Sequence, residues 1–200
     1  MSVLVGKEAP DFTVPAIMPN NTINEKFNLK EFTKEKVAAL FFWPADFTFV
    51  CPSEIIAFNN KIEEFKKRDV VLMGCSVDTH FTHFAWKETP INRGGIGNVQ
   101  FPMLSDLGGD ISKAYDVLSE GKVAYRATFL IDQQGKVVHQ VVNDLPLGRC
   151  VDELIRMIDA LLFTQKYGEV CPANWQKGQE GMKATKEGVA DYLTKNADKL

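Results

Sequence analysis

The 200-residue sequence has few of the residues that mark metal centres or disulfide frameworks, with only three histidines and four cysteines. The cysteines, at 51, 75, 150 and 171, are widely separated, and none forms a C-x-x-C pair or joins a cysteine–histidine cluster. That spacing argues against a structural zinc site and against a thioredoxin-type dithiol. His80 and His83 could share a ligand at i, i+3, but no carboxylate or third histidine nearby completes a set. Long runs of one charge are also missing. The 23 basic and 26 acidic residues leave a formal charge of −3, which argues against nucleic acid as the main partner. The opening MSVLVGKEAPDF has no basic segment or long apolar stretch, and nothing further on approaches a membrane span. The expectation is a soluble, cytoplasmic protein with no membrane partner, in which disulfides are transient and catalytic.

What is present is enough for one ordinary domain with an extra arm, since 45% of the residues are hydrophobic. Residues 8–33 read as a hairpin, Phe12 to Ala16 and Ile23 to Phe27 about an Asn20-Asn21 turn, followed by a helical turn from Leu29 to Phe32. Val37 to Trp43 and Val70 to Val77 are unbroken apolar runs, the mark of strands covered on both faces. With a helical pattern between them they predict a parallel crossover and an α/β sandwich. Residues 78–90 predict a helix capped by Asp78 or Thr79 and rich in aromatics. Asn92 to Gly97 is glycine-rich but does not follow a strand and open a helix, so nucleotide binding is discounted. A short helix is expected around Asp110 to Tyr115. Val123 to Asp132 and Lys136 to Asn143 form a hairpin about Gln134-Gly135. Val151 to Lys166 is an amphipathic helix stopped by Gly168, with Cys150 at its cap. From Glu169 the chain turns polar and small, with a last helical piece from Lys186 to Lys199.

The chemistry gathers in Phe41 to Phe58, FFWPADFTFVCPSEIIAF. Here Cys51 ends a strand-like run and opens a helix in which Pro52 suits a first position and Ile55, Phe58, Ile62 and Phe65 share a face. This predicts an exposed thiol facing the unpaired N–H groups and positive end of a helix, with Glu54 in the first turn. Making a thiol largely ionised at neutral pH means lowering its pKa from about 8.5 to about 6, roughly 3.4 kcal/mol. A helix end supplies ~1 kcal/mol and one charge-assisted hydrogen bond ~1.5–3 kcal/mol, so an arginine is needed as well. Cys75, inside a strand, reads as a buried inert thiol.

Pro44, Thr48 and Cys51 make the pattern P-x-x-x-T-x-x-C, and VCPANW follows about 120 residues later. Over nearly its whole length the chain resembles the peroxiredoxins, in particular the typical two-cysteine subgroup that includes bacterial alkyl hydroperoxide reductase C. The resemblance implies a thioredoxin-like fold with an N-terminal hairpin extension: a peroxiredoxin domain over residues 1–168 and a C-terminal arm over 169–200. It also implies a peroxidatic nucleophile at Cys51, a hydroxyl donor at Thr48, a shielding proline at Pro44 and a cation at Arg126. Cys171 would be the resolving cysteine, attacking the oxidised sulfur of a partner subunit. Arg149 is placed in the same neighbourhood, where it could pair with Glu54. Further implications are a hydroperoxide substrate, no metal, haem or flavin cofactor, reduction by thioredoxin or a dedicated flavoprotein disulfide reductase, and homodimers assembling into a ring such as a decamer. Gly94 to Gly97 is similar to the G-G-L-G loop of overoxidation-prone members, with Ile96 for leucine, and Tyr192-Leu193 stands where they carry tyrosine-phenylalanine. Two rivals are a dithiol oxidoreductase or isomerase, against which the missing C-x-x-C counts, and a ring-forming holdase, whose activity would survive Cys51→Ser.

Overall fold

The computed structural model describes residues 2–200. They form two compact units, one ending at Val151 and one running from Asp152 to Leu200. The first unit contains β1 (Thr13–Ile17), β2 (Ile23–Asn28), α1 (Leu29–Phe32), β3 (Val37–Phe42), α2 (Cys51–Asn60), α3 (Ile62–Lys66), β4 (Val70–Ser76) and α4 (His80–Glu88). It continues through β5 (Met103–Ser105), α5 (Asp110–Ala114), β6 (Arg126–Ile131) and β7 (Val137–Asn143). The second holds most of α6 (Val151–Tyr167), then α7 (Lys186–Asn196) and a closing 3₁₀ turn, Ala197–Lys199.

Among the described residues, all seven strands join one sheet, in the order β2-β1-β5-β4-β3-β6-β7. At its centre β3 runs parallel to β4 from the Val37–Val70 pair to the Phe42–Cys75 pair, and β4 runs parallel to β5. The crossover expected from the two apolar runs is therefore present, with α2 and α3 on the connection. Every residue of β3 is buried, as a strand apolar on both faces requires. β6 adds antiparallel to β3 and carries β7 as a hairpin. The N-terminal hairpin is part of the same sheet, because Ala16 and Ile17 of β1 pair with Leu104 and Met103 of β5.

The helix pattern from Ile55 to Phe65 is broken in the structure. Lys61, with φ −101° and ψ 7°, ends α2 and precedes α3. Asn59 and Asn60, which favour turns over helix interiors, lie just before the break. Ile55, Phe58 and Phe65 nevertheless reach the core. Phe58 stacks on Phe41 of β3 with centroids 4.1 Å apart. Room for Phe41 comes from Gly74 of β4, where a Cβ would lie 2.6 Å from Phe41 Cζ and 2.7 Å from Trp43 Cζ3. Among the described residues, no helix is long and apolar enough to cross a membrane.

Candidate active site

The stretch from Trp43 to Val50 links β3 to α2 and is fastened from below. Asp46 is buried, and its carboxylate accepts from Trp43 Nε1 at 2.9 Å and lies 2.7 Å from His83 Nδ1. The other His83 nitrogen, Nε2, is 3.1 Å from Leu104 O, so the ring bridges this loop to β5. Asp46 N donates to Asp78 Oδ2 at 2.8 Å, and Ser76 Oγ donates to the same oxygen at 2.7 Å. Burial raises the Asp46 carboxyl above its ordinary value, against the opposing hydrogen bond and charge of His83. Phe47, at φ 53°, occupies a left-handed conformation that a bulky residue rarely adopts. Nothing in the sequence marks Asp46, and it marks His83 only as half of an i, i+3 pair with His80. The partners are 37 positions apart, and no local pattern links them.

Cys51 is the first residue of α2, as expected, but it is not exposed: its relative exposure is 0%. Tertiary packing accounts for the difference, because Thr48 and Arg126 close over the sulfur. The first-turn N–H groups are not free for it either, since Ser53 N and Glu54 N both donate to Val50 O, at 3.1 and 3.3 Å. The sulfur's polar neighbours are instead Thr48 Oγ1 at 2.9 Å and Arg126 Nη1 at 3.4 Å. Thr48 Oγ1 also lies 2.8 Å from Ala45 O. A hydroxyl has one proton, so Thr48 can accept from a thiol while donating to Ala45 O, or turn to donate to a thiolate. Pro44 is buried at the base of the loop.

Arg126, at the start of β6, is buried and triply held. Nε donates to Leu145 O at 2.6 Å, and Nη1 reaches Glu54 Oε2 at 2.7 Å as well as the sulfur. Burial lowers its pKa, but the hydrogen bond and charge of Cys51, with those of Glu54, outweigh this and hold it above its ordinary value. Glu54 is also gripped by Arg149: Nε meets Oε1 at 2.8 Å, Nη2 meets Oε2 at 2.8 Å, and Arg149 N donates to Oε1 at 2.9 Å. Arg149 Nη1 in turn donates to Phe42 O and Ala127 O, both at 2.7 Å, tying the cluster to β3 and β6. Burial pushes the Glu54 carboxyl up, yet Arg149's hydrogen bonds and charge, aided by Arg126, bring it below its ordinary value.

Thus Thr48, Cys51, Glu54, Arg126 and Arg149 converge, with Pro44 at the base of the loop that carries Thr48. Cys171 lies in the second unit, where its Sγ–H donates to Ala160 O at 3.6 Å. Cys75 is buried in the core, and burial, with the charge of Asp106, pushes its thiol well up, in keeping with an inert role. Cys150 is exposed, immediately before α6.

A sulfur under one hydroxyl and one guanidinium, on a helix start beyond a central parallel strand and without a C-x-x-C partner, defines a thiol peroxidase on a thioredoxin-like fold. Residues 5–140 match the AhpC/TSA family, and residues 160–195 match the C-terminal domain of 1-Cys peroxiredoxin. The chain is 54% identical over 198 residues to alkyl hydroperoxide reductase C of Helicobacter pylori, covering 99% of this chain and 100% of the relative. It is 44% identical over 192 residues to Peroxiredoxin-1 of Gallus gallus, covering 96% of each. Among solved structures, the reduced 2-Cys peroxiredoxin of Plasmodium vivax superposes with a TM-score of 0.93 at 52% identity, covering 96% of this chain and 100% of that one. The chain belongs to the AhpC/TSA family of peroxiredoxins and is a thiol-dependent peroxidase.

Proposed function

We propose that the chain reduces hydrogen peroxide and small organic hydroperoxides at Cys51, and that Cys171 of a second subunit resolves the oxidised sulfur. The observation that carries this reading is the convergence of Thr48 Oγ1 and Arg126 Nη1 on Cys51 Sγ. The Cys51 thiolate attacks the terminal peroxide oxygen and the O–O bond breaks. The sulfur becomes a sulfenic acid, and the leaving oxygen takes up the proton released when the thiol ionised. Arg126 and Thr48 donate to the peroxide oxygens as charge develops, Pro44 shields the site, and Glu54 and Arg149 hold Arg126 in place. The Cys171 thiol then condenses with the sulfenic acid, expelling water and leaving an intersubunit disulfide. Thioredoxin or a dedicated flavoprotein disulfide reductase reopens it by exchange.

In this reading, residues 1–168 are the peroxidase domain and 169–200 the arm that brings the resolving cysteine. The enzyme serves antioxidant defence and redox homeostasis in the cytoplasm. Homodimers join into a ring, a decamer in the simplest case. Support for the ring comes from Phe47, Phe81 and Phe84, which are 51%, 64% and 39% exposed on and beside α4.

Peroxide consumption with a generic dithiol reductant tests the assignment. Cys51→Ser should abolish it, whereas Cys171→Ser should complete a first turnover and then accumulate sulfenic acid. Oxidised wild type should run as a dimer on non-reducing gels, and mixing the two variants should give a single-bridged heterodimer. Oxidised wild type running only as an internally bridged monomer would overturn the intersubunit step.

Residue 193 tests the role of the arm in overoxidation. Leu193 lies on α7 and is 42% exposed, where overoxidation-prone relatives of the subgroup carry phenylalanine. In those relatives the tyrosine-phenylalanine pair and the G-G-L-G loop together cover the active site, and Leu193→Phe is expected to strengthen such a cover by ring contacts of about 0.5–1.5 kcal/mol. The sulfinic fraction per turnover, read by intact mass after peroxide cycling, should then rise. An unchanged or lower fraction would show that α7 does not govern this step.

A further inference from the structure

In the second unit, the segment from 170 to 179 lies along one stripe of α6, where Arg156, Asp159, Ala160 and Phe163 stand at i, i+3, i+4 and i+7. Cys171 donates its thiol hydrogen to Ala160 O, so the sulfur is turned toward its own helix. Four residues later Trp175 is 2% exposed, with its ring 4.9 Å from that of Phe163. The Trp175 carbonyl accepts from Arg156 Nη1 at 2.8 Å. The same guanidinium uses Nε and Nη2 to grip Glu153 Oε2 and Oε1, both at 2.7 Å. A two-point grip of this kind fixes the guanidinium plane, so Nη1 is aimed at the loop instead of swinging free. Glu153's hydrogen bond, against the opposing effect of burial, holds Arg156 above its ordinary value. The charges of Glu153 and Cys171 add to the rise.

Neither sulfur is ready to bond to the other. Cys51 is sealed at 0% exposure, and Cys171 is engaged with a helix backbone, whereas an attacking sulfur must be a thiolate free of that engagement. The loop carrying Cys171 therefore has to lift off α6 before the disulfide forms. We propose that Arg156, aimed by Glu153, is the latch on this loop. It is a positioning residue that sets how fast Cys171 reaches the sulfenic acid, and hence how much acid survives to meet a second peroxide. In that competing step the sulfenate attacks another O–O bond and is oxidised to sulfinate while the peroxide leaves as alcohol or water. The inference rests on the reading of Cys171 as the resolving cysteine.

The test is a single turnover of the full-length protein with hydrogen peroxide, quenched at intervals and read by intact mass. Wild type, Arg156→Ala, Arg156→Lys and Glu153→Gln are compared. In Arg156→Ala the first step should keep its rate, while disulfide formation should accelerate about tenfold, the change expected when one charge-assisted hydrogen bond leaves an opening equilibrium. The sulfinic fraction should fall in parallel. Arg156→Lys should lie between wild type and alanine, because lysine keeps the charge but cannot grip Glu153 and Trp175 O together. Glu153→Gln should also accelerate the second step, and it serves as the readout if Arg156→Ala fails to fold. General damage to the fold would slow both steps. Disulfide formation unchanged or slowed in the folded variants would overturn the latch. If wild type itself forms no Cys51–Cys171 bridge, the resolving assignment fails, and the latch fails with it.

Discussion

Arg126→Ala is expected to slow peroxide reduction by about a hundred- to a thousandfold, the usual loss when a preorganised donor to developing charge is removed. Arg126 Nη1 is the cationic donor placed on the Cys51 sulfur, at 3.4 Å, and Nε is anchored on Leu145 O, so the guanidinium is already aimed before substrate arrives. The variant should remain folded, because Glu54 keeps three hydrogen bonds from Arg149 when Arg126 is gone. Stopped-flow measurement of the first turnover isolates the effect from disulfide reduction. A drop below about tenfold, or 1.4 kcal/mol of barrier, would mean that Thr48 and the helix start suffice without a cation.

Glu54→Gln should instead cost stability. Glu54 is 4% exposed and is the carboxylate held between the two buried arginines Arg126 and Arg149. An amide of the same shape leaves Arg149 without its counter-charge and Arg126 with only the Cys51 sulfur, and breaking such a buried pair typically costs about 3–5 kcal/mol. The wild-type contribution is pH-dependent in a fixed direction. The folded-state pKa of Glu54 lies below its ordinary value of 4.5, so the stabilisation is complete above that value and is lost as pH falls through the lower, folded one. Urea unfolding at one protein concentration should therefore show a gap between wild type and Glu54→Gln that is widest near neutrality and closes in acid. A gap of constant size across that range would show that the carboxylate charge is not its source.

Much of the fold and part of the site can be read from residue patterns alone. The apolar runs ending at Trp43 and Val77 announce the parallel centre of the sheet, because only strands covered on both faces tolerate such continuity. Gln134-Gly135 announces the β6–β7 hairpin, and Gly135 does adopt a positive φ of 80°. The need for a cation near Cys51 follows from the energetics of ionising a thiol, and Arg126 meets it from 75 residues away. The burial of Cys51 is not legible, because it depends on which distant side chains close over the sulfur. The His83–Asp46 bridge is hidden for the same reason. On sequence spacing His83 pairs with His80, whereas in the folded chain it supports the loop that carries Thr48. The break at Lys61 is a local competition between turn and helix that apolar periodicity does not register.

The arrangement around Glu54 also makes the site a counter of electrons. With Cys51 as a thiolate, two anions face two guanidiniums in a sealed pocket, and the charges balance. In the proposed reaction the thiolate takes a hydroxyl from the peroxide and its negative charge departs on the leaving oxygen, so the sulfur becomes a neutral sulfenic acid and two cations are left against one carboxylate. An excess buried charge is costly to hold away from water, and the direct relief is to admit solvent. Oxidation would thus remove the electrostatic reason for the pocket to stay shut, at the turnover in which, on the proposed cycle, Cys51 has to come out to meet Cys171. On that cycle the oxidant itself, through a change of one charge, supplies the signal to open.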